Sequence, residues 1–476
     1  MSSRIPKSLV LAVDLVIKNG KIVTTEGIYE AGVAVEDGRI VAIAKEPNLP
    51  QADKVIDAKG FPVMPGAIDP HVHLGLYNPF GEDVPDSTMA QAVGGLTTTM
   101  HSILDKRSLK VSVPELTEIA NQSAYIDMTF YAAIMSMQHI LELPAAFELG
   151  VTSFKHFTNR PEYEMLNILH PDDGEFYLSF EKIKELGGVA MTHCEDFEIA
   201  RKLTERVKAS GAKDLAAWND SRPDYCEQLK IWEMALMAKI TGCPLYVVHN
   251  TVATAKEVVD WADGNGVEMF IETCPAYLYF VKTDQKVGLL GKVNPPIRTR
   301  GHVEGLWQGI KDGWVDCIGT DHCPLTRSRK VGQGDIWSAM LGYPGSETML
   351  PFMISEGFNK RGISLERIAH LTASNTAEIH SIPNKGAIRV GYDADIVIVD
   401  PKKRVRLDDK VLHYSQIRDF SLFEGETFTG YPVRTIVRGQ VVAENGEVVG
   451  KRGYGKVVKR VPRRGPRKPS LQSLIN

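Results

Sequence analysis

Eight short apolar runs, rich in β-branched residues, punctuate the middle of the chain, and longer amphipathic stretches separate them. The runs are PVMPGAIDPHVHL, TTTMHSI, DMTFYAAI, VTSFKHF, GVAMTHC, PLYVVHN, VEMFIETC and VDCIGTD. Between several of them lie segments such as SFEKIKELG, EQLKIWEMALMAKITG and AKEVVDWADGNG, whose apolar residues recur at helical spacing. Eight strand-then-helix units over residues 65–385 predict a (β/α)8 TIM barrel. A doubly wound open sheet is the other arrangement that such alternation permits. No GxGxxG phosphate loop follows a strand to support it.

The two ends of the chain resemble each other and differ from the middle. Residues 1–64 hold LVIKNGKIV, AGVAVEDGRIVAI and KVIDAKGFPV; residues 386–450 hold GAIRVGYDADIVIVD and VRTIVRGQVVAENGEVV. Their Asn-Gly, Asp-Gly and Arg-Gly pairs signal hairpin turns. Both ends together predict one small β-sandwich, with the barrel inserted between its halves. Residues 451–476 form a basic C-terminal tail. It reads as a solvated extension or an arm across a neighbouring subunit rather than a nucleic-acid arm, because no aromatic beyond Tyr454 interleaves with its charges.

Composition narrows the functional classes. The chain has 476 residues, 55 basic and 59 acidic, for a net charge of -4, which calls for neither nucleic acid nor an anionic membrane. No run of 18 apolar residues predicts a transmembrane helix, and the apolar run Leu9–Ile17 is interrupted by Asp14, so it reads as a strand rather than a signal peptide. The six cysteines form no CxxC pair and fit buried thiols in a reducing cytoplasm.

Polar residues collect at the carboxyl ends of five of the eight runs. His71 and His73 end the first, Lys155 lies near the end of the fourth, His193 ends the fifth, His249 the sixth and Asp321 the eighth. That is the face where barrel enzymes keep their active sites. His71 and His73, two apart on a strand, share a face and can reach one metal ion. His193 and His249, each taken alone, are also compatible with satisfied core histidines; together with the other strand ends they point to metal. Asp321 ends a buried strand, which is costly for a carboxylate unless it coordinates or pairs. It can ligate a hard cation and take a proton, or form a salt bridge to a barrel Lys or Arg. Lys155 is the odd member, since an ammonium repels metal ions. Reaction with CO2 would convert it to a bridging carbamate, and apolar surroundings favour the neutral amine this needs. The alternative is a barrel lysine paired with an acid.

At these residues the sequence resembles the cyclic amidohydrolases: hydantoinases, dihydropyrimidinases and allantoinases, with dihydroorotases more distant. The matching elements are PGAIDPHVH (65–73), PFG (79–81), GGLTTT (94–99), GVTSFK (150–155), HCED (193–196), SRP (221–223), VVHN (247–250), ETCPAYL (272–278), NPPIR (294–298), IGTDHCP (318–324) and PGSETMLP (344–351). They run in order through residues 10–450. The resemblance implies two divalent metal ions, usually zinc, and a carboxylated lysine as bridging ligand. It places one ion on His71, His73, Lys155 and Asp321 and the other on Lys155, His193 and His249. It further implies attack of a metal-bridging hydroxide on a ring amide, Asp321 as the proton acceptor, a small cyclic amide as the partner, a cytoplasmic location and a homotetramer.

The sequence departs from that family near the expected pocket mouth. Relatives carry a tyrosine five residues after the carboxylated lysine to hydrogen-bond the developing oxyanion. Here that position is Arg160, with Tyr163 three residues further on. Arg160 either binds a carboxylate or imide oxygen of an unusual substrate or pairs outward with Glu162 or Glu164. His101 stands where an acidic residue is usual at the end of strand 2. Backbone groups near Asn294 and Leu341 are expected to grip the ring. Allantoinase, or hydrolysis of another cyclic amide or imide, is the alternative activity. A non-catalytic scaffold is opposed by retention of all six ligand positions, and a decarboxylase or deaminase by the lysine.

Overall fold

The computed structural model describes residues 12–158 and 171–463. Five strands come first: β1 (Val13–Val23), β2 (Ile28–Glu36), β3 (Arg39–Ala44), β4 (Ala52–Asp57) and β5 (Pro62–Pro65). Eight follow: β6 (Ala67–Val72), β7 (Leu96–Ile103), β8 (Asp127–Ala133), β9 (Ser153–Phe157), β10 (Val189–His193), β11 (Leu245–Val247), β12 (Met269–Thr273) and β13 (Cys317–Ile318). The chain closes with β14 (Ile396–Arg406), β15 (Thr427–Val437), β16 (Gln440–Glu444) and β17 (Glu447–Val448).

Strands β6 to β13 pair in parallel and in chain order. A parallel bridge between Val72 and His322, with the His73 amide donating to the His322 carbonyl at 2.7 Å, brings the last strand round to the first. Each expected barrel run supplies one barrel strand, but the first, PVMPGAIDPHVHL, also contains β5, which pairs with β1 and β14 in the other sheet. The doubly wound alternative fails because strand order never reverses. Side chains two apart share a face, so Val189, Met191 and His193 on β10 point one way. Met100, Tyr131, Met191, Tyr246 and Phe270 fill the interior, and Ile379 and Ile382 pack on the same cluster.

The outer helices form for local reasons. Helix Asp173–Leu186 starts with a capping box, in which Asp172 accepts from the Glu175 amide and Glu175 from the Asp172 amide. It ends at Gly187 in the left-handed region, φ 76°. Its Phe176, Phe180 and Ile183, at i, i+4 and i+7, are buried. Each contributes ~1.5–3 kcal/mol by leaving water.

Both chain ends build one further sheet, in the order β17-β16-β15-β14-β5-β1-β2-β3, with β4 paired to β1. The two ends meet where β5 runs antiparallel to β14, Val63 opposite Ile398 and Pro65 opposite Ile396. Leu15, Ile17, Ile22, Val33, Val63, Ile396 and Ile436 form its own core.

Residues 451–463, the described part of the basic tail, run back along the barrel instead of extending away from it, although Lys451, Arg452, Lys456 and Lys459 stay exposed; residues 464–476 lie outside the described residues. Met128 at the foot of β8 exchanges backbone hydrogen bonds with Lys456 and Val458. Arg460 is buried, donating to Ser153 Oγ at 2.7 Å and to the Phe130 carbonyl. Basic composition suggested solvent, but a guanidinium can be satisfied by carbonyls at the amino ends of the strands. All six cysteines are free and buried. Among the described residues no helix is long and apolar enough to cross a membrane.

Candidate metal centre

The five strand ends converge. His71 and His73 leave β6 with their Nε2 atoms 3.2 Å apart. Asp321 Oδ1 lies 3.0 Å from His73 Nε2 and 3.5 Å from His71 Nε2. Lys155, from β9, places Nζ 3.4 Å from His71 Nε2. On the other side of the cluster, His193 Nδ1 and His249 Nε2 are 2.9 Å apart, and the His249 ring stacks on His71 with centroids 5.3 Å apart. All six residues named from the sequence therefore meet at one place. His249 and Asp321 hold left-handed backbones, φ 40° and 52°. Such angles cost L residues ~1–2 kcal/mol, a strain typical of functional sites.

Carboxylates behind the histidines fix which nitrogen faces inward. His71 Nδ1 contacts Glu272 Oε1 at 3.0 Å, so its proton sits there and the Nε2 lone pair faces the cluster. His193 Nε2 contacts Glu195 Oε2 at 2.9 Å, turning the Nδ1 lone pair toward His249. Glu272 also accepts from the His249 amide and from Tyr246 Oη, both at 2.9 Å. Gly319 allows this approach, because a Cβ there would lie 2.6 Å from the Glu272 carboxyl carbon. Asp69 accepts from the amides of His71 and Thr320 and from the hydroxyls of Thr320 and Ser346, tying β6 to β13.

Electrostatics prepare these groups for a cation. Burial, then the Lys155 charge, holds His71 and His249 well below the ordinary histidine range, leaving neutral imidazoles. Burial lowers Lys155 to about 8 against the pull of Asp321 and Glu272. Burial alone would raise Asp321, but His71, His73 and Lys155 outweigh it and hold the carboxyl at about 2. Facing lone pairs and one carboxylate oxygen fit a positive ion. The inward atoms of His71, His73 and Asp321 all lie within 4.8 Å of one another, close enough for a single cation.

A pocket opens onto the cluster. His73, His193, His249, Asp321 and Asn294 give it polar groups, and Leu76, Tyr77, Leu104, Phe157 and Leu341 give it apolar walls. Asn294 and Leu341, expected to lie near the ring, both line this pocket. Buried Lys330 holds the Leu341 loop by donating to the carbonyls of Lys292, Met340 and Gly342 at 2.5, 2.7 and 2.6 Å. Tyr77 Oη donates to the Leu341 carbonyl at 3.1 Å.

His101 does not occupy the expected place at the pocket mouth. It is buried beside Phe80, with ring centroids 4.8 Å apart, and its Nδ1 accepts the Leu74 amide. Burial lowers it to about 3, so the neutral ring anchors the turn that follows His73. Arg160 and Tyr163 lie outside the described residues.

The sequence reading missed Glu272, Glu195, Asp69 and Lys330. Asp69 carried a usable signal: the cost of a carboxylate in a buried strand, applied to Asp321, applies equally to it.

Comparison with known proteins agrees with this geometry. The profile of the amidohydrolase family matches residues 63–442, and that of the urease alpha-subunit N-terminal domain matches residues 1–60. An L-hydantoinase of Paenarthrobacter aurescens is 33% identical over 94% of this chain and 98% of its own length. An allantoinase of Rubrobacter xylanophilus is 33% identical over 92% and 96%. The solved L-hydantoinase (dihydropyrimidinase) from Arthrobacter aurescens superposes with TM-score 0.88 at 32% identity, over 94% of this chain and all of that one. The dihydropyrimidinase from Brevibacillus agri gives 0.87 at 30%, over 95% and 99%.

Proposed function

The chain belongs to the amidohydrolase family, and from that premise we propose that it opens a cyclic amide ring, hydantoin- or dihydropyrimidine-like, with water at a two-metal centre. The observation that carries this reading is the pair of facing nitrogen clusters, His71–His73 with Asp321 and His193–His249, with Lys155 beside them.

His71, His73 and Asp321 would hold one ion, His193 and His249 the other, and a carboxylated Lys155 both; zinc suits this mixture of imidazole and carboxylate. When bound, the ions would lower the pKa of water and polarise the amide carbonyl. Glu272 and Glu195 hold the imidazoles in the required tautomer. Asp321, ionised and facing the pocket, accepts the proton of the attacking water and delivers it to the leaving ring nitrogen. Asn294 and the Leu341 backbone position the ring. Arg160 is assigned to a substrate carboxylate or imide oxygen, with Tyr163 beside it in sequence. The enzyme is placed in the cytoplasm, where six free thiols stay reduced, as a homotetramer.

The reading is tested by a hydrolysis screen of the metal-loaded protein. Dihydrouracil, hydantoin, 5-substituted hydantoins, allantoin, dihydroorotate and cyclic imides are the substrates. Allantoin belongs in the set because an allantoinase relative is as similar as a hydantoinase one. Opening of at least one ring is expected, and inertness toward all of them overturns the assignment. Arg160→Gln then separates its roles: a loss confined to carboxylate-bearing rings supports binding of that group, and equal losses on all rings contradict it.

A further inference from the structure

The two imidazoles on the far side of the cluster are oriented by different means. His193 has the Glu195 carboxylate against its outer nitrogen at 2.9 Å. His249 has no such support: its Nδ1 meets no hydrogen-bond partner among the described residues. Its ring direction is therefore set by its backbone, which turns through φ 40°. A residue with a Cβ keeps that angle only where its surroundings hold it. The His249 amide donates to Glu272 Oε1 at 2.9 Å and the Asn250 amide to the Glu272 carbonyl at 2.7 Å. The Asn250 carbonyl accepts from Thr273 Oγ1 at 2.8 Å. These contacts tie one side of the turn to β12. The other side is tied at Thr251.

A buried ion pair holds Thr251. Glu227, on helix Asp224–Thr241, accepts the Thr251 amide at 2.8 Å and the Thr251 hydroxyl. Arg298 donates through Nε to Thr251 Oγ1 at 2.8 Å, through Nη2 to Glu227 Oε2 at 2.9 Å and through Nη1 to the Arg222 carbonyl. The Arg298 and Glu227 side chains are only 3% and 1% exposed. A pair so deeply buried adds little stability over apolar residues of the same volume. What it adds is direction, because the planar guanidinium fixes three acceptors at set angles. Three segments of the pocket meet at this pair. Cys226, next to Glu227, accepts the Asp196 amide at 2.9 Å, so the start of the helix carries the loop of His193 and Glu195. Thr251 carries the turn of His249. Arg298 ends the segment that begins at Asn294, which lines the pocket. Among the described residues, neither side chain bonds to the segments that carry His71, His73 or Asp321.

We propose that Arg298 and Glu227 are positioning residues for the second metal ion: their pairing holds the His249 turn and the His193 loop at the spacing where His193 Nδ1 and His249 Nε2 share a cation. The proposal rests on the two-metal reading above and deepens it, since it makes the two ions separable, with the pair supporting one and leaving the other alone.

The test counts ions rather than turnover. Arg298→Met with Glu227→Gln removes both charges together, so neither is left buried alone. Zinc-loaded wild type and variant are titrated with a chelator and bound zinc is counted per chain. Anomalous diffraction from partly stripped crystals shows which ion has left. The double variant should release the ion beside His193 and His249 at about 10–100-fold lower chelator concentration than wild type, and hold the ion beside His71, His73 and Asp321 as wild type does. Arg298→Lys, which keeps the charge but loses the fork, should fall between the two and carries the test if the double variant does not fold. Lys385→Met, altered at the opposite end of the barrel, should match wild type at both ions. Equal weakening of both ions, or of neither, overturns the positioning role, as does selective loss of the second ion in Lys385→Met. A single ion in wild type overturns the two-metal reading itself, and this inference with it.

Discussion

The two ends of the barrel bury charge in opposite ways. At the amino end, opposite charges meet: Lys385 Nζ lies 2.5 Å from Asp127, 2.6 Å from Asp395 and 3.1 Å from Asp393, and Arg438 adds a second cation on Asp127. Arg460 closes the same end on backbone carbonyls and Ser153. At the carboxyl end, like groups meet: four imidazoles whose nitrogens face one another in pairs, with Lys155 and the Asp321 carboxylate beside them on the inner side and Glu272 and Glu195 behind His71 and His193. In the first arrangement the carboxylates of Asp127, Asp393 and Asp395 already have their cations in Lys385 and Arg438. The second becomes complete only around a guest cation. Substitution at the amino end should therefore cost stability, and substitution at the carboxyl end should cost chemistry.

The largest effect is expected at Asp321. Asp321→Asn keeps the shape and removes the proton acceptor, so ring hydrolysis should fall about 10²–10⁴-fold with both metals retained and melting little changed. Near-wild-type turnover at full metal occupancy would break the proposed division of roles. Next comes Lys385→Met, which strands Asp127 and Asp395 with reduced compensation. A loss of about 3–5 kcal/mol in thermal unfolding is expected, with kcat of the folded enzyme preserved. A melting temperature equal to wild type would contradict the account of the amino end.

Glu272→Gln sharpens the comparison, because it acts at the carboxyl end without touching the reaction. Competition against a chelator should show metal held about 10–100-fold more weakly. The smallest effect is expected at Lys330→Met. Loosening the Leu341 loop should raise KM about tenfold, with kcat and metal content nearly unchanged. A fall in kcat at constant KM would instead place Lys330 in the chemistry.

What could be read from the sequence follows from the range of each interaction. Strand order and the six clustered side chains depend on local periodicity and on strand ends, both of which the sequence displays. His71 and Glu272 stand 201 positions apart, so nothing local marks their hydrogen bond, although ETCPAYL was visible as a motif. His101 shows the limit of strand-end reasoning. Met100 faces the barrel interior, so its neighbour must point outward, toward Phe80. For residues 451–463, charge suggested solvent, while the satisfied state depends on carbonyls contributed by distant strands.

The central claim is that these six residues hold two cations bridged by Lys155. Elemental analysis of the purified chain, wild type beside Lys155→Met, tests it most directly. The account predicts two divalent ions per chain in wild type and loss of at least one when the lysine is removed. One ion or none in wild type, or two retained by Lys155→Met, would contradict it.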